Sequence, residues 1–186
     1  MEKKLLEEKE KRYWAEINQA YSASKELFIK AEEKLEQMAF FPAPLLEHRD
    51  ALDHIMRYYN ITYENQGELT QRAIDELSDA RGHEIRAYFD IADFICITIR
   101  DDVSSALKNF SGAQIKKVWN DYTRIKTEVV KISEDIVSIR NSRTTSLENI
   151  EKYKVVIEKL FNIYDSFNTR TLPELKKKYF WQFWKK

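Results

Sequence analysis

The sequence has few of the residues that close tight turns or build disulfide and metal sites. In 186 residues it contains three Gly, three Pro, three His and one Cys. A β-rich fold of this size needs many tight turns, so the shortage of Gly and Pro favours a few long elements joined by short connections. Because Cys96 is the single cysteine, an intramolecular disulfide and a zinc site made of several cysteines are both excluded.

Signals for export or membrane insertion are also missing. The apolar run around Cys96 is bracketed by Asp93 and by Arg100-Asp101-Asp102, so it is much too short to cross a bilayer. The first eight residues, Met1 to Glu8, lack the apolar centre of a signal peptide. We therefore expect a cytoplasmic protein with no transmembrane span.

The composition is that of a folded, highly charged protein. It is 43% hydrophobic, 13% aromatic and 33% charged, which indicates one folded domain with long solvent-facing helices. The net charge is zero, but residues 96–186 hold 18 Lys and Arg against 11 Asp and Glu. Such a dipole can orient the chain on an acidic surface or pair it with itself, although a solvated charge distribution is the commoner explanation.

Apolar residues recur at steps of three and four, which predicts an all-α bundle of five to six helices. A long first helix is predicted over 1–39 and ends before Pro42; a second runs over 44–61 and a third over 68–109. The segment Asn65-Gln66-Gly67-Glu68 is predicted to form the turn before the third helix. We predict a single domain over 1–171, followed by an aromatic and basic segment over 172–186.

The clearest periodicity lies in the C-terminal half and predicts an antiparallel, coiled-coil-like hairpin over 112–170. A capping-box pattern, Ser111 to Gln114, opens it. The first heptad seam steps 3-4-3-4-3-4-3 and is predicted to be an interface with a protein partner or a second copy; packing inside the chain's own bundle is the alternative. Its residues are Ile115, Val118, Tyr122, Ile125, Val129, Ile132, Ile136 and Ile139.

Two short segments share a pattern of His, Arg and Tyr. One contains His54, Arg57 and Tyr58; the other contains His83, Arg86 and Tyr88. A three-residue step places each His and its Arg on one helix face, so neighbouring helices could combine them into a site for a phosphate or another anion. The alternative is that these groups simply form hydrogen bonds between helices.

The segment from Arg49 to His54 resembles the Arg-x4–6-His signature of HEPN-domain proteins, in which a polar residue, here Asp50, commonly follows the Arg. These are small, all-helical and usually dimeric proteins, and many are metal-independent ribonucleases of toxin–antitoxin and anti-phage defence systems. The resemblance implies catalytic roles for Arg49 and His54. His54 would act in proton transfer, while Arg49 would stabilise the charge that builds on the phosphate.

No metal site or cofactor is predicted. Glu47, His48, Asp50, Asp53 and His54 lie close together, but they lack the paired Glu-x-x-His arrangement of dimetal bundles. The sequence also lacks a glycine-rich phosphate loop. A hydrated acidic face explains these residues.

The chain ends in an aromatic segment flanked by lysines. A capping pattern, Thr171 to Glu174, precedes it, and its aromatic residues are Tyr179, Phe180, Trp181, Phe183 and Trp184. Three alternatives stand: the rings bind an anionic membrane surface, enter a groove of a protein partner, or cover the protein's own core.

Taken together, these patterns favour a helical assembly or adaptor subunit that acts through protein–protein contacts and self-association. The competing hypothesis, from a different functional class, is a HEPN-like endoribonuclease with RNA as its substrate.

Overall fold

A computed structural model describes residues 2–35, 41–141 and 147–179, and within these ranges the chain is helical with no strand. The predicted all-α class is confirmed. The helices are α1 (Glu2–Lys34), α2 (Ala43–Glu64), α3 (Gln71–Leu107), α4 (Gly112–Val118), α5 (Tyr122–Asn141), α6 (Leu147–Ser166) and α7 (Leu172–Tyr179), with a π-helical turn (Phe167–Thr171) between α6 and α7. None of the helices in these ranges combines the length and apolar character needed to cross a membrane.

The chain divides into two compact units. Unit 1 comprises Met1–Asp93 and Ser142–Lys152, and unit 2 comprises Phe94–Asn141 and Tyr153–Lys186. Helices α3 and α6 each contribute residues to both units. The single domain expected over 1–171 stays a prediction.

Unit 1 is built on α1, α2 and the first part of α3. The predicted turn after α2 forms: Gln66 (φ 55°) and Gly67 (φ 87°) adopt the left-handed conformation that ends many helices. The predicted start of α3 at Glu68 is wrong, because α3 begins at Gln71. The Gly67 N–H donates to the Thr62 carbonyl at 2.9 Å. The Thr70 hydroxyl then accepts from the Ala73 N–H at 3.2 Å and caps the start of α3.

An apolar cluster lies among these three helices of unit 1. Ala73 and Ala80, one heptad apart on α3, are fully buried, and their small side chains allow close helix packing. The buried members of the cluster are Ile17, Tyr58, Ile61, Ala73, Leu77 and Ala80.

Unit 2 is packed around aromatic rings. The predicted capping box is confirmed: the Ser111 hydroxyl accepts from the Gln114 N–H, and the Gln114 side chain accepts from the Ser111 N–H. The Trp119 ring lies 5.6 Å from the Phe167 ring. The buried members of the cluster are Leu107, Phe110, Ile115, Trp119, Phe167 and Leu175.

The heptad seam is unbroken in sequence, but the helix that carries it is not. α4 ends at Val118 and α5 begins at Tyr122, with Trp119 between them at φ −114° and ψ 83°. The Trp119 side chain is buried against Phe167 and Tyr122. Burial of the large indole ring stabilises the fold by more than the few backbone hydrogen bonds that the break removes. This tertiary contact therefore overrides the local helical pattern.

The predicted cap at Thr171 is wrong. Instead of ending, α6 passes into a π-helical turn in which the Leu172 N–H donates to the Phe167 carbonyl, and Thr171 is buried. Pro173 follows this turn directly, as the second residue of α7.

Two other predicted boundaries meet the limits of the described residues. α1 ends at Lys34 and Leu35 is no longer helical, while the rest of the predicted helix, 36–39, lies outside the described residues. The turn of the predicted hairpin, 142–146, lies outside them too. Within unit 2 the Tyr153 hydroxyl donates to the Ile136 carbonyl at 3.4 Å, a contact expected of an antiparallel α5–α6 pair.

Candidate functional site

The three histidines of the chain lie at the α2–α3 contact, where each bonds a glutamate of the other helix. In each pair the imidazole Nδ1 lies 2.7–2.8 Å from a carboxylate oxygen. We call the set of three pairs the His–Glu ladder: His48 with Glu84, His54 with Glu76, and His83 with Glu47. Two of the pairs are reciprocal, because Glu47 and His48 are neighbours on α2 while His83 and Glu84 are neighbours on α3.

Two rings of the ladder lie face to face. The His54 and His83 ring centroids are 5.2 Å apart and the rings are inclined by 28°. Both bind their carboxylate through Nδ1, which fixes each ring's orientation and leaves Nε2 as the second nitrogen. Glu84 is the most deeply buried acid of the ladder, with its side chain 6% exposed, so its bond to His48 supplies the partner that a buried carboxylate requires.

The two arginines of the predicted anion cluster form hydrogen bonds to carboxylates of the chain itself. The Arg86 Nε donates to Glu47 at 3.0 Å, and Arg57 pairs with Asp53 one turn away on α2. Tyr88 is buried, with its ring 6.4 Å from that of Phe89. Anion binding by this cluster stays a prediction, and a bound anion would displace these carboxylates.

Tyr58 of the same cluster donates its hydroxyl hydrogen to Glu10 of α1. Burial, together with this bond to a carboxylate, raises the pKa of Tyr58 to about 12. The hydroxyl therefore acts as a structural donor between α1 and α2.

Arg49 and His54, the residues of the HEPN resemblance, lie on different faces of α2. The Arg49 side chain is 68% exposed and donates two hydrogen bonds, of 2.9 and 2.6 Å, to Asp50. This bond holds the pKa of the Asp50 carboxyl below its ordinary value, and the positive charge on Arg49 adds to the effect. His54 instead faces α3 through Glu76, which agrees with the roughly 140° that a five-residue step turns on a helix.

The acidic and histidine side chains of α2 do not form a ligand set. Among the residues that the structure describes, no group of three or more His, Cys, Asp and Glu is arranged to hold a metal ion.

A second face of α2 carries large apolar side chains into solvent. The sequence pattern did not indicate this face, because the buried apolar residues of α2 already repeat with the period of a helix. We call it the α2 stripe; its residues step 4-3-4-3-4. They are Leu45 (62% exposed), Arg49, Leu52 (57%), Met56 (51%), Tyr59 (55%) and Tyr63 (87%).

Helix α1 extends this apolar surface. Tyr21 and Ile29 of α1 are 45% and 47% exposed, and with Leu45 they line a shallow hollow of about 290 Å³. Farther along, the Trp14 ring lies 6.2 Å from the ring of Tyr59. The exposed apolar surface of unit 1 therefore spans two helices.

The seam predicted as an interface lies largely within unit 2. Ile115, Ile132 and Ile136 are buried, and the other five members are half-buried. Its first residues pack against the aromatic cluster around Trp119. An additional contact of this seam with a partner stays a prediction.

The aromatic tail is described only at its first residue. Tyr179 is half-buried, and its ring lies 6.3 Å from that of Phe110. Phe180, Trp181, Phe183 and Trp184 lie outside the described residues, so the three alternatives for them stay open.

No protein-family model, curated protein or solved structure matches this chain.

Proposed function

We propose that the protein is a self-associating assembly subunit that uses the α2 stripe as its interface. The supporting observation is the row of exposed Leu, Met and Tyr side chains at heptad spacing on one helix face. Contiguous exposed apolar surface marks interaction sites, and this spacing is the one that a partner helix packs against. The cytoplasmic location expected from the sequence is part of the proposal.

A second copy of the chain is the proposed partner, because the stripe is symmetric along its length. The steps 4-3-4-3-4 are the same from either end, so an antiparallel copy of α2 faces it with every position matched. A two-fold axis midway between Leu52 and Met56 places these residues opposite each other, and Arg49 opposite Tyr59. Such a self-complementary patch is what a two-fold dimer requires.

Charge supports the same pairing. An axis at this position brings Asp53 of one copy towards Arg57 of the other. Arg49 would also lie over the face of Tyr59, where a cation–π contact is favourable. The stripe is about 27 Å long from the helical rise, and the adjoining α1 surface widens the face that a partner can cover.

Sedimentation velocity over a range of concentrations tests this proposal. The wild-type chain should dimerise, and Leu52→Asp should weaken the dimer by at least about a hundredfold, since each interface would bury two unpaired carboxylates. Met56→Asp should have the same effect because it faces Leu52.

Gln19→Asp provides the matched control, because it adds the same charge at an exposed position of α1 outside the stripe. It should leave the dimer intact. A wild-type chain that stays monomeric, or Leu52→Asp dimers as tight as those of Gln19→Asp, would refute the α2 interface.

A HEPN-like ribonuclease is the second candidate function, and the environment of His54 favours it. Glu76 holds the Nδ1 of His54 at 2.7 Å, which orients the ring and leaves Nε2 for proton transfer. Arg49 is exposed on the α2 stripe, on a different face of α2 from His54, so an RNA substrate would have to contact both faces of the helix. RNA is the proposed substrate class.

RNA cleavage assayed in chelator tests this candidate. Arg49→Ala and His54→Ala should each reduce cleavage by about 10²–10⁴-fold while the circular-dichroism spectrum keeps the helical content of the wild type. His83→Ala should matter much less. Absence of cleavage by the assembled protein, or cleavage indifferent to both substitutions, would leave assembly as the sole proposal.

A further inference from the structure

Unit 2 contains an apolar groove that neither the α2 interface nor the ribonuclease candidate uses. It has a volume of about 510 Å³ and lies along the end of α3, α4 and the first half of α5. This volume is within the range of small-molecule sites, roughly 300–1,000 Å³. Its apolar wall includes Val103, Leu107, Trp119, Tyr122, Ile125 and Val129.

The charged side chains at the groove are all basic. Arg100, Lys108 and Lys126 are the charged residues among the described residues that line it, and none of its described lining residues is acidic. All three are exposed, so their charges lie at the rim while the wall stays apolar. The adjoining hollow, which shares Arg100 and Val129, has Glu134 in its lining. Arg100 is also paired with Asp101 at 3.4 Å. A negative group would therefore be favoured beside Lys108 or Lys126, the basic lining residues that the hollow with Glu134 does not share.

We propose that this groove binds an anionic amphiphile, with its hydrocarbon chain along the apolar wall and its carboxylate near Lys108 and Lys126. Each methylene that leaves water adds to the affinity, so the hydrocarbon chain supplies most of the binding and the lysines select the charge.

Calorimetric titration of the full-length chain with laurate tests the ligand class. Dodecanol and dodecyltrimethylammonium are the controls, because they carry the same twelve-carbon chain with a neutral or a positive head group. Laurate should bind with one-to-one stoichiometry and about tenfold more tightly than either control. Equal affinity for all three, or no binding of laurate, would overturn the proposal.

Charge reversal at the rim tests the location. The double variant Lys108→Glu/Lys126→Glu should weaken laurate binding by about tenfold, since two favourable exposed interactions become unfavourable. The matched control is Lys116→Glu/Lys117→Glu, which reverses two exposed lysines of α4 that do not line the groove. The control should bind laurate as the wild type does.

Filling the groove provides an independent test. Val103→Trp should abolish laurate binding by occupying the apolar wall, and its melting temperature shows whether the chain still folds. If that variant does not fold, the charge-reversal pair decides alone. Laurate binding that survives at full strength in the charge-reversal variant, or in a folded Val103→Trp, would mean that laurate binds elsewhere on the chain and would overturn the proposed site. Leu52→Asp should leave laurate binding unchanged, so the groove and the α2 interface fail or succeed separately.

Discussion

The two units use the same helical period in opposite ways. In unit 1 the heptad stripe of α2 faces solvent, while the α2–α3 contact is lined with the His–Glu ladder. In unit 2 the heptad seam of α4 and α5 faces inwards, where Ile132 and Ile136 are buried. The comparison shows that a heptad pattern identifies an apolar helix face without saying whether that face meets its own chain or a partner.

In unit 1, α2 can expose one apolar face because contacts on its other side hold it. Tyr58 and Ile61 pack in the apolar cluster. The His–Glu ladder adds hydrogen bonds that favour one register of α2 and α3, because a shift would leave the buried Glu84 carboxylate without its partner. The ladder therefore orients α2, and the apolar stripe points away from the ladder as a consequence.

The largest expected effect comes from comparing a buried leucine of unit 1 with an exposed leucine of the α2 stripe. Leu77→Ala should lower the free energy of unfolding by about 2–5 kcal/mol, since Leu77 is fully buried and its removal leaves a cavity. Leu52→Ala should change it by less than about 0.5 kcal/mol in the monomer, since Leu52 is 57% exposed. Urea unfolding at a concentration below the dimerisation range measures both.

The same contrast applies within unit 2. Ile132→Ala should lower the free energy of unfolding by as much as Leu77→Ala does, because Ile132 is buried. Val137→Ala should change it as little as Leu52→Ala does, because Val137 is 56% exposed. If Ile132→Ala were neutral and also altered sedimentation, the seam would be an interface and the contrast between the units would be wrong.

A smaller effect is expected from the His–Glu ladder. His48→Ala should cost about 1–3 kcal/mol, because it leaves the buried Glu84 carboxylate without its imidazole partner. In a double-mutant cycle with Glu84→Ala the coupling should be about 0.5–3 kcal/mol. Urea unfolding of the four proteins provides the measurement, and strict additivity would mean that the pair does not hold the helices in register.

One hydrogen bond of unit 2 serves as a control. The Tyr164 hydroxyl donates to Asp102 at 2.9 Å, and Tyr164→Phe should cost about 1 kcal/mol. If Tyr164→Phe lowered the free energy of unfolding by as much as His48→Ala or more, the distinction between the polar contact of unit 1 and the aromatic packing of unit 2 would be wrong.

The smallest effect concerns Tyr58 and appears only in alkali. Its pKa is raised from 10.0 to about 12, so the folded state favours the protonated hydroxyl. The stabilisation from this group is fully present below pH 10 and is lost as the pH rises through about 12. Absorbance titration should show a tyrosinate transition near pH 12 that Tyr58→Phe removes. A titration curve unchanged by Tyr58→Phe would contradict the bond to Glu10.

Local chemistry allowed much of the fold to be predicted. The all-α class, the long α3, the capping box at Ser111 and the turn at Gln66 and Gly67 all follow from residues close in sequence. The break at Trp119 did not follow, because the ring that buries it, Phe167, is distant in sequence. The π-helical turn before Pro173 was missed because the pattern at Thr171 resembles an ordinary cap.

The candidate site was predicted less well than the fold. The sequence identified His54 and His83 as possible neighbours, and the structure places their rings 5.2 Å apart. It did not indicate the pairing of each histidine with a glutamate of the other helix, because that pairing depends on the register between α2 and α3. The α2 stripe was also missed, since exposure cannot be read from a helix that is apolar on two faces.

By itself, the sequence determined where helices form and which of their faces are apolar, because propensity, capping and periodicity act over a few residues. The tertiary structure alone decided which apolar face each unit buries and which charges meet. Those outcomes depend on helix register and packing between residues far apart in the chain, where a shift of one helical turn exchanges one set of partners for another.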